Sequence, residues 1–182
     1  MTSQAPGKVS KNICDGKGKK YRLWCKTRIK GKSIVILVHG AVVPSLSGLH
    51  RIDYPNSDKF CFYNLDDLLF HDFQYNVFTF DYADEPIGGL GYVNYGSLED
   101  YGKMLIEAIG KARNFTETSD GSAGQVYVIA HSMGGLVARY AVQNIKDIKV
   151  RKIITLDTGH HGFELAKIDT HKMAFCWGAG SR

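Results

Sequence analysis

Val128-Ile129-Ala130-His131-Ser132-Met133-Gly134-Gly135 is the stretch from which the rest of the chain is read. The apolar run Gln125–Ala130 reads as a buried strand, and the segment from about Met133 to Asn144 reads as a helix. Ser132 therefore stands where a strand turns sharply into a helix. Small residues at 130 and 134 suit that turn, because strand and helix backbones come close around a serine held in a strained conformation with its hydroxyl projecting from the sheet edge. The backbone N–H of Met133, at the start of the helix, points where a developing oxyanion would form, and the helix dipole adds to the field there.

Working outward, Ser33-Ile-Val-Ile-Leu-Val-His39-Gly40 is too uniformly apolar to have a wet face and reads as a central strand of a parallel sheet. If it neighbours the strand before Ser132, the His39-Gly40-Ala41 loop lies beside the elbow, Ala41 N–H is a second oxyanion donor, and His39 braces the loop. Residues 58–71 carry Phe62, Leu65 and Leu69 at helical spacing behind Asp58 as N-cap, and Asn76–Asp81 is a second strand. Five glycine or proline residues between Ala83 and Gly96 make a loop of that segment. Ser97 then opens a helix whose Leu98, Tyr101, Leu105, Ile106 and Ile109 share one face, with Asp100 in the place of a capping-box glutamate, and which ends near Arg113. Arg151–Leu156 is a fourth strand. The alternation of strands and helices predicts an α/β fold, a parallel central sheet with helices on both faces and right-handed crossovers. The expected division is a basic arm with an entry strand over 1–32, around Tyr21, Leu23 and Trp24, and the core over 33–182.

Four segments resemble the lipase and esterase branch of the α/β-hydrolase fold: Leu37-Val-His39-Gly40, Val77–Tyr82, Ala130-His-Ser-Met-Gly-Gly135, and Ile154–Gly162. The resemblance covers about residues 33–165, and the Ala-His-Ser-Met-Gly-Gly string is similar to that of bacterial-type lipases. It implies hydrolysis of carboxylic esters, of acylglycerol type, with Ser132 as nucleophile and no cofactor. The last segment departs from the usual Gly-Thr-Pro-His-His-Gly in having Asp157 for Gly and Gly159 for Pro.

Serine needs a histidine to take its proton and a carboxylate to orient that histidine, and in this fold the order is Ser, acid, His. Asp157, at the end of the fourth strand, is a candidate acid, and His171, the last histidine, a candidate base. The tail lacks a strand to position His171, so the expectation is that the chain is the N-terminal portion of a longer hydrolase whose acid and base lie further on. His131 adjoins the nucleophile on a sharp turn and points away from it. His160 and His161 read as structural, and no metal site is expected. The aromatic residues between Tyr54 and Tyr82 fill a core, or else line an acyl pocket or form part of a lid.

With 182 residues, 44% apolar, the chain is the size of one domain and can bury roughly 70% of its unfolded surface. Its longest apolar run is far below the about 20 residues of a membrane-spanning helix. Residues 1–32 hold ten Lys/Arg against Asp15 alone, within a net charge of +5. Such an arm reads as a solvated tail, with contact to an anionic lipid surface as the functional option and no nucleic-acid motif beside it. No export signal precedes the core, so cytoplasmic residence is expected. Cys14, Cys25, Cys61 and Cys176 lack CxxC spacing and read as reduced thiols. Asn114-Phe-Thr116 is a glycosylation sequon that matters only on an exported chain. An acyltransferase on the same scaffold and a non-catalytic hydrolase-like binding protein are the competing functions. Nothing in the sequence specifies the oligomeric state.

Overall fold

The computed structural model describes residues 12–13, 21–25, 29–41, 62, 65–82 and 96–162. Within them one six-stranded sheet is built from β1 (Asn12–Ile13), β2 (Arg22–Cys25), β3 (Ile34–Val38), β4 (Asn76–Asp81), β5 (Val126–His131) and β6 (Val150–Leu156), in the order β1-β2-β4-β3-β5-β6. The helices are α1 (Leu65–His71), α2 (Leu98–Thr116) and α3 (Met133–Asn144). β4, β3, β5 and β6 run parallel, as expected, while β2 forms the expected entry strand and with β1 makes an antiparallel edge whose pairing the sequence did not specify.

β3 is the spine because every one of its five residues is buried, so it tolerates neither an edge position nor a wet face. Burying five such side chains contributes on the order of 10 kcal/mol, comparable to the entire net stability of a domain. Alternate residues supply two cores. Ile34, Ile36 and Val38 face α2 and α3 with Phe78, Phe80, Leu105, Ile109, Val128 and Val137. Val35 and Leu37 face α1 with Phe62, Val77, Leu65 and Leu69. Helices thus cover both faces of the sheet. The aromatic residues of β4, together with Tyr82, fill this core. β6 lies at the far edge of the sheet, with Ile154 and Leu156 exposed.

Local chemistry sets the helix boundaries. Ser97 caps α2 by accepting the Asp100 N–H at 3.0 Å, and its own hydroxyl donates to the Asp100 carboxylate at 2.7 Å, so the shorter aspartate engages the cap hydroxyl. α2 continues past Arg113 to Thr116, whose buried hydroxyl donates back to the Ala112 and Arg113 carbonyls. Leu98, expected on the buried face, is exposed in the first turn. α3 spans the expected residues. Asp58 and the 83–95 loop lie outside the described residues.

The basic segment is not wholly a tail. Tyr21, Leu23 and Cys25 belong to the core, and Arg22 pairs with buried Asp81 at 2.9 Å. Cys25 is disulfide-bonded, which corrects the expectation of reduced thiols: spacing in sequence says little about which cysteines a fold brings together.

Asn76, fully buried at the start of β4, ties the approach to β3 in place. Its amide donates to the Ile29 and Lys32 carbonyls at 2.8 and 3.1 Å, and its carbonyl accepts the Ile29 N–H at 2.6 Å. Replacing Asn76 by alanine strands these backbone groups, and we expect a loss of about 2–4 kcal/mol in urea denaturation with an unchanged m-value.

Candidate active site

Ser132 joins the last residue of β5 to the first of α3 with φ 50° and ψ −125°, a backbone conformation that side chains rarely adopt. Neighbouring groups hold it there. The Ser132 N–H donates to the Leu156 carbonyl at 2.8 Å, and the Ser132 carbonyl accepts from Thr158 Oγ1 and from the Gly135 N–H, both at 3.0 Å. The end of β6 therefore grips the serine backbone on both sides of its side chain. Close approach does the rest: a methyl group at Gly134 would run into the His39 carbonyl oxygen and sit 2.7 Å from that of Val38, and one at Gly135 would collide with Thr158.

The Ser132 side chain occupies the N-cap position of α3, where serine ordinarily accepts a helix N–H, yet it makes no capping hydrogen bond. Ser97 of α2 shows the ordinary behaviour. The Ser132 hydroxyl thus leaves the helix amides uncapped, and the residue is partly exposed.

β3 and β5 are neighbours, with Val38 opposite Ala130, so the loop after β3 runs beside the elbow as expected. At Gly40 an added Cβ would lie 3.0 Å from both Ser132 Cβ and His131 Nδ1. Ala41 follows at an exposed position, and Met133 is partly buried at the first residue of α3. His39 is buried, with Nδ1 2.6 Å from the Gly40 carbonyl oxygen, so it braces the loop that carries Ala41. The residues expected to supply a nucleophile and two amide donors are therefore gathered at the carboxyl ends of adjacent strands.

The triad partners are not assembled to the same degree. Asp157 follows β6 directly, one residue beyond the Leu156 carbonyl that holds Ser132, and it is exposed with φ 50°. His171 lies outside the described residues. His131 packs toward Gly40, and among the described residues its Nδ1 is buried without a hydrogen-bond partner. His160 Nε2 lies 3.0 Å from Thr155 Oγ1, within a tight turn, and His161 is exposed. No group of three or more His, Cys, Asp or Glu suited to a metal occurs among the described residues. Sequence reasoning passed over Thr158 and Tyr82. Thr158 follows a strand ending on the same sheet edge as Ser132, which was its only signal, and Tyr82 carried none beyond ending the second strand.

A family model described as PGAP1-like alpha/beta domain matches residues 30–176. No curated protein matches the chain. Among solved structures, the Francisella virulence factor BioJ is similar at 13% identity, with a TM-score of 0.50, over 84% of this chain and 44% of its own. An esterase of Pyrococcus furiosus is 22% identical over 70% of this chain and 43% of its own, with a TM-score of 0.42. A predicted CIB-like hydrolase from Thermoplasma acidophilum is 19% identical over 80% and 61%, with a TM-score of 0.47. The chain thus spans less than two thirds of the length of each, and the likeness to BioJ, at 13% identity, is one of fold. The family match takes in β3, the elbow and the strand that grips it, and on that ground the chain belongs to the PGAP1-like alpha/beta domain family, built on the α/β-hydrolase fold.

Proposed function

We propose that the protein is a serine hydrolase that cleaves carboxylic esters, of acylglycerol lipids in particular, through an acyl-enzyme on Ser132. The observation that carries this reading is the Ser132 backbone at φ 50° and ψ −125° with its hydroxyl withheld from the helix cap. A strained serine at a strand–helix junction costs stability of order 1–3 kcal/mol, and a chain that served only to bind or to fold gains nothing from it.

In this mechanism Ser132 Oγ attacks the ester carbonyl carbon as its proton passes to a histidine. The oxygen of the tetrahedral intermediate rests on the N–H groups of Met133 and Ala41, and the histidine returns the proton to the departing alcohol. Water, activated by the same histidine, then attacks the acyl-enzyme and releases the acid. Asp157 and His171 are the candidate acid and base that would keep the order Ser, acid, His within this sequence. An alcohol in place of water would make the same intermediate an acyl donor for transfer.

A fluorophosphonate probe is expected to label the folded protein, and Ser132→Ala to abolish labelling while leaving the thermal midpoint within a few degrees. Ester turnover should fall by at least about 10⁴-fold in that variant. Folded protein that takes up no probe and turns over no ester would sink the hydrolase reading and leave the binding-protein alternative.

We further propose an oxidising compartment for this chain in place of the cytoplasmic one expected from the sequence. The Cys25 disulfide supports it, because such bonds persist where thiols are not kept reduced. Asn114 is exposed in the last turn of α2, and the Thr116 carbonyl accepts the Gly31 N–H ahead of β3, at the opposite end of the sheet from Ser132. A glycan on Asn114 would therefore leave the site open. In protein isolated from its own cells, glycosidase treatment should shift the mobility of the native chain but not of Asn114→Gln. An unmodified Asn114 together with a free Cys25 thiol would return the chain to the cytoplasm.

A further inference from the structure

Tyr82 is fully buried, one residue past β4, and touches the loop after β3 through three separate groups. Its N–H donates to His39 Nε2 at 3.2 Å, its ring stacks on the His39 ring at 4.2 Å and 10°, and its hydroxyl donates to the His39 carbonyl at 2.8 Å with the Gly40 carbonyl at 3.4 Å. A backbone N–H can only donate, so Nε2 presents its lone pair. The ring proton is therefore on Nδ1, which donates to the Gly40 carbonyl at 2.6 Å. One neutral tautomer satisfies both bonds. The Asp81 carboxylate, 3.5 Å from Nε2 through Oδ1, is itself engaged by Arg22.

The consequence lies in the geometry of the peptide unit. In a planar trans peptide the Gly40 carbonyl and the Ala41 N–H point in opposite directions, so fixing the first aims the second. The His39 ring donates to that carbonyl, and the Tyr82 phenol, whose one proton goes chiefly to the His39 carbonyl, lies 3.4 Å from it. The His39 carbonyl is the oxygen that a methyl group at Gly134 of the elbow helix would strike. The peptide so held passes beside the nucleophile, since a Cβ on Gly40 would come within 3.0 Å of Ser132 Cβ.

We propose that Tyr82 is a positioning residue for acyl transfer, its buried phenol holding the His39 carbonyl and its N–H and ring holding the His39 imidazole that donates to the Gly40 carbonyl, so that the Ala41 N–H is preorganised as an oxyanion donor. This rests on the serine-hydrolase reading of Ser132. A donor aimed in advance costs no reorganisation in the transition state, whereas a peptide free to rotate must be ordered during each turnover. The effect belongs to the transition state, so it appears in kcat and not in KM.

The test is kinetics with an activated ester on Tyr82→Phe, Ala41→Pro and the double variant, each normalised to sites titrated with the fluorophosphonate. Tyr82→Phe removes only the hydroxyl, and Ala41→Pro, at an exposed position, removes the amide hydrogen itself. Loss of a whole oxyanion donor costs about 10²–10³-fold, so Tyr82→Phe should lower kcat per titrated site by about 10–100-fold with KM within about 2-fold. Ala41→Pro should cost at least as much, and the double variant no more than Ala41→Pro alone, because the phenol acts only through that amide. A merely structural role would lower the titrated fraction and the thermal midpoint while leaving kcat per site unchanged. Unchanged kcat per site in Tyr82→Phe, or in Ala41→Pro should Tyr82→Phe not fold, overturns the proposal, as does full additivity in the double variant. Absence of labelling at Ser132 in the unmodified protein is a separate result, and it removes the underlying hydrolase reading together with this one.

Discussion

The structure hangs on how closely the start of α3 approaches the end of β3. There is no room for a side chain at Gly134 against the His39 and Val38 carbonyls, and at Gly40 a Cβ would press on Ser132 at 3.0 Å. Two adjacent parallel strands each turn at their carboxyl end, and two missing Cβ atoms let those turns touch. That contact sets the loop carrying Ala41 beside Ser132, whose backbone is strained. A larger residue at either glycine would push the loop after β3 away from Ser132.

Strain of this kind persists only where surrounding bonds over-determine it. Ser132 is held on one side through the Leu156 carbonyl and on the other through the Thr158 hydroxyl, both at the end of β6. β6 is a modest contributor to the core, with Ile154 and Leu156 exposed, so its part here is chiefly to clamp the elbow. The loop on the opposite side of the serine is clamped in turn from β4 by Tyr82 and through the His39 ring. Each element that flanks β3 and β5 in the sheet therefore contributes a hydrogen bond that shapes the site.

Charge is distributed to the same end. Asp81 and His39 are almost completely buried beneath the loop, and Arg22 of β2 engages the carboxylate. A buried carboxylate without a cationic partner would be costly, and the antiparallel edge strand delivers that partner. This gives a physical reason for the basic N-terminal segment to enter the sheet: its residues supply apolar cover through Tyr21 and Leu23 and a counter-charge through Arg22.

The sequence by itself determined the parallel core, the helix from Met133 to Asn144, the elbow at Ser132 and its neighbouring loop at His39-Gly40-Ala41, because each rests on local signals. These are a continuous apolar run, small residues flanking a serine, and a strand that gives way to helical periodicity. Only the tertiary structure decided that β2 pairs antiparallel with β4, that Cys25 is oxidised, that Thr158 grips the serine, and that Tyr82 reaches two carbonyls of the neighbouring strand's loop. Those contacts join residues 26 to 59 positions apart, or a cysteine to a partner that no spacing rule identifies. Periodicity reports which face a residue takes within its own element, and it carries no information on which distant backbone group that face will meet.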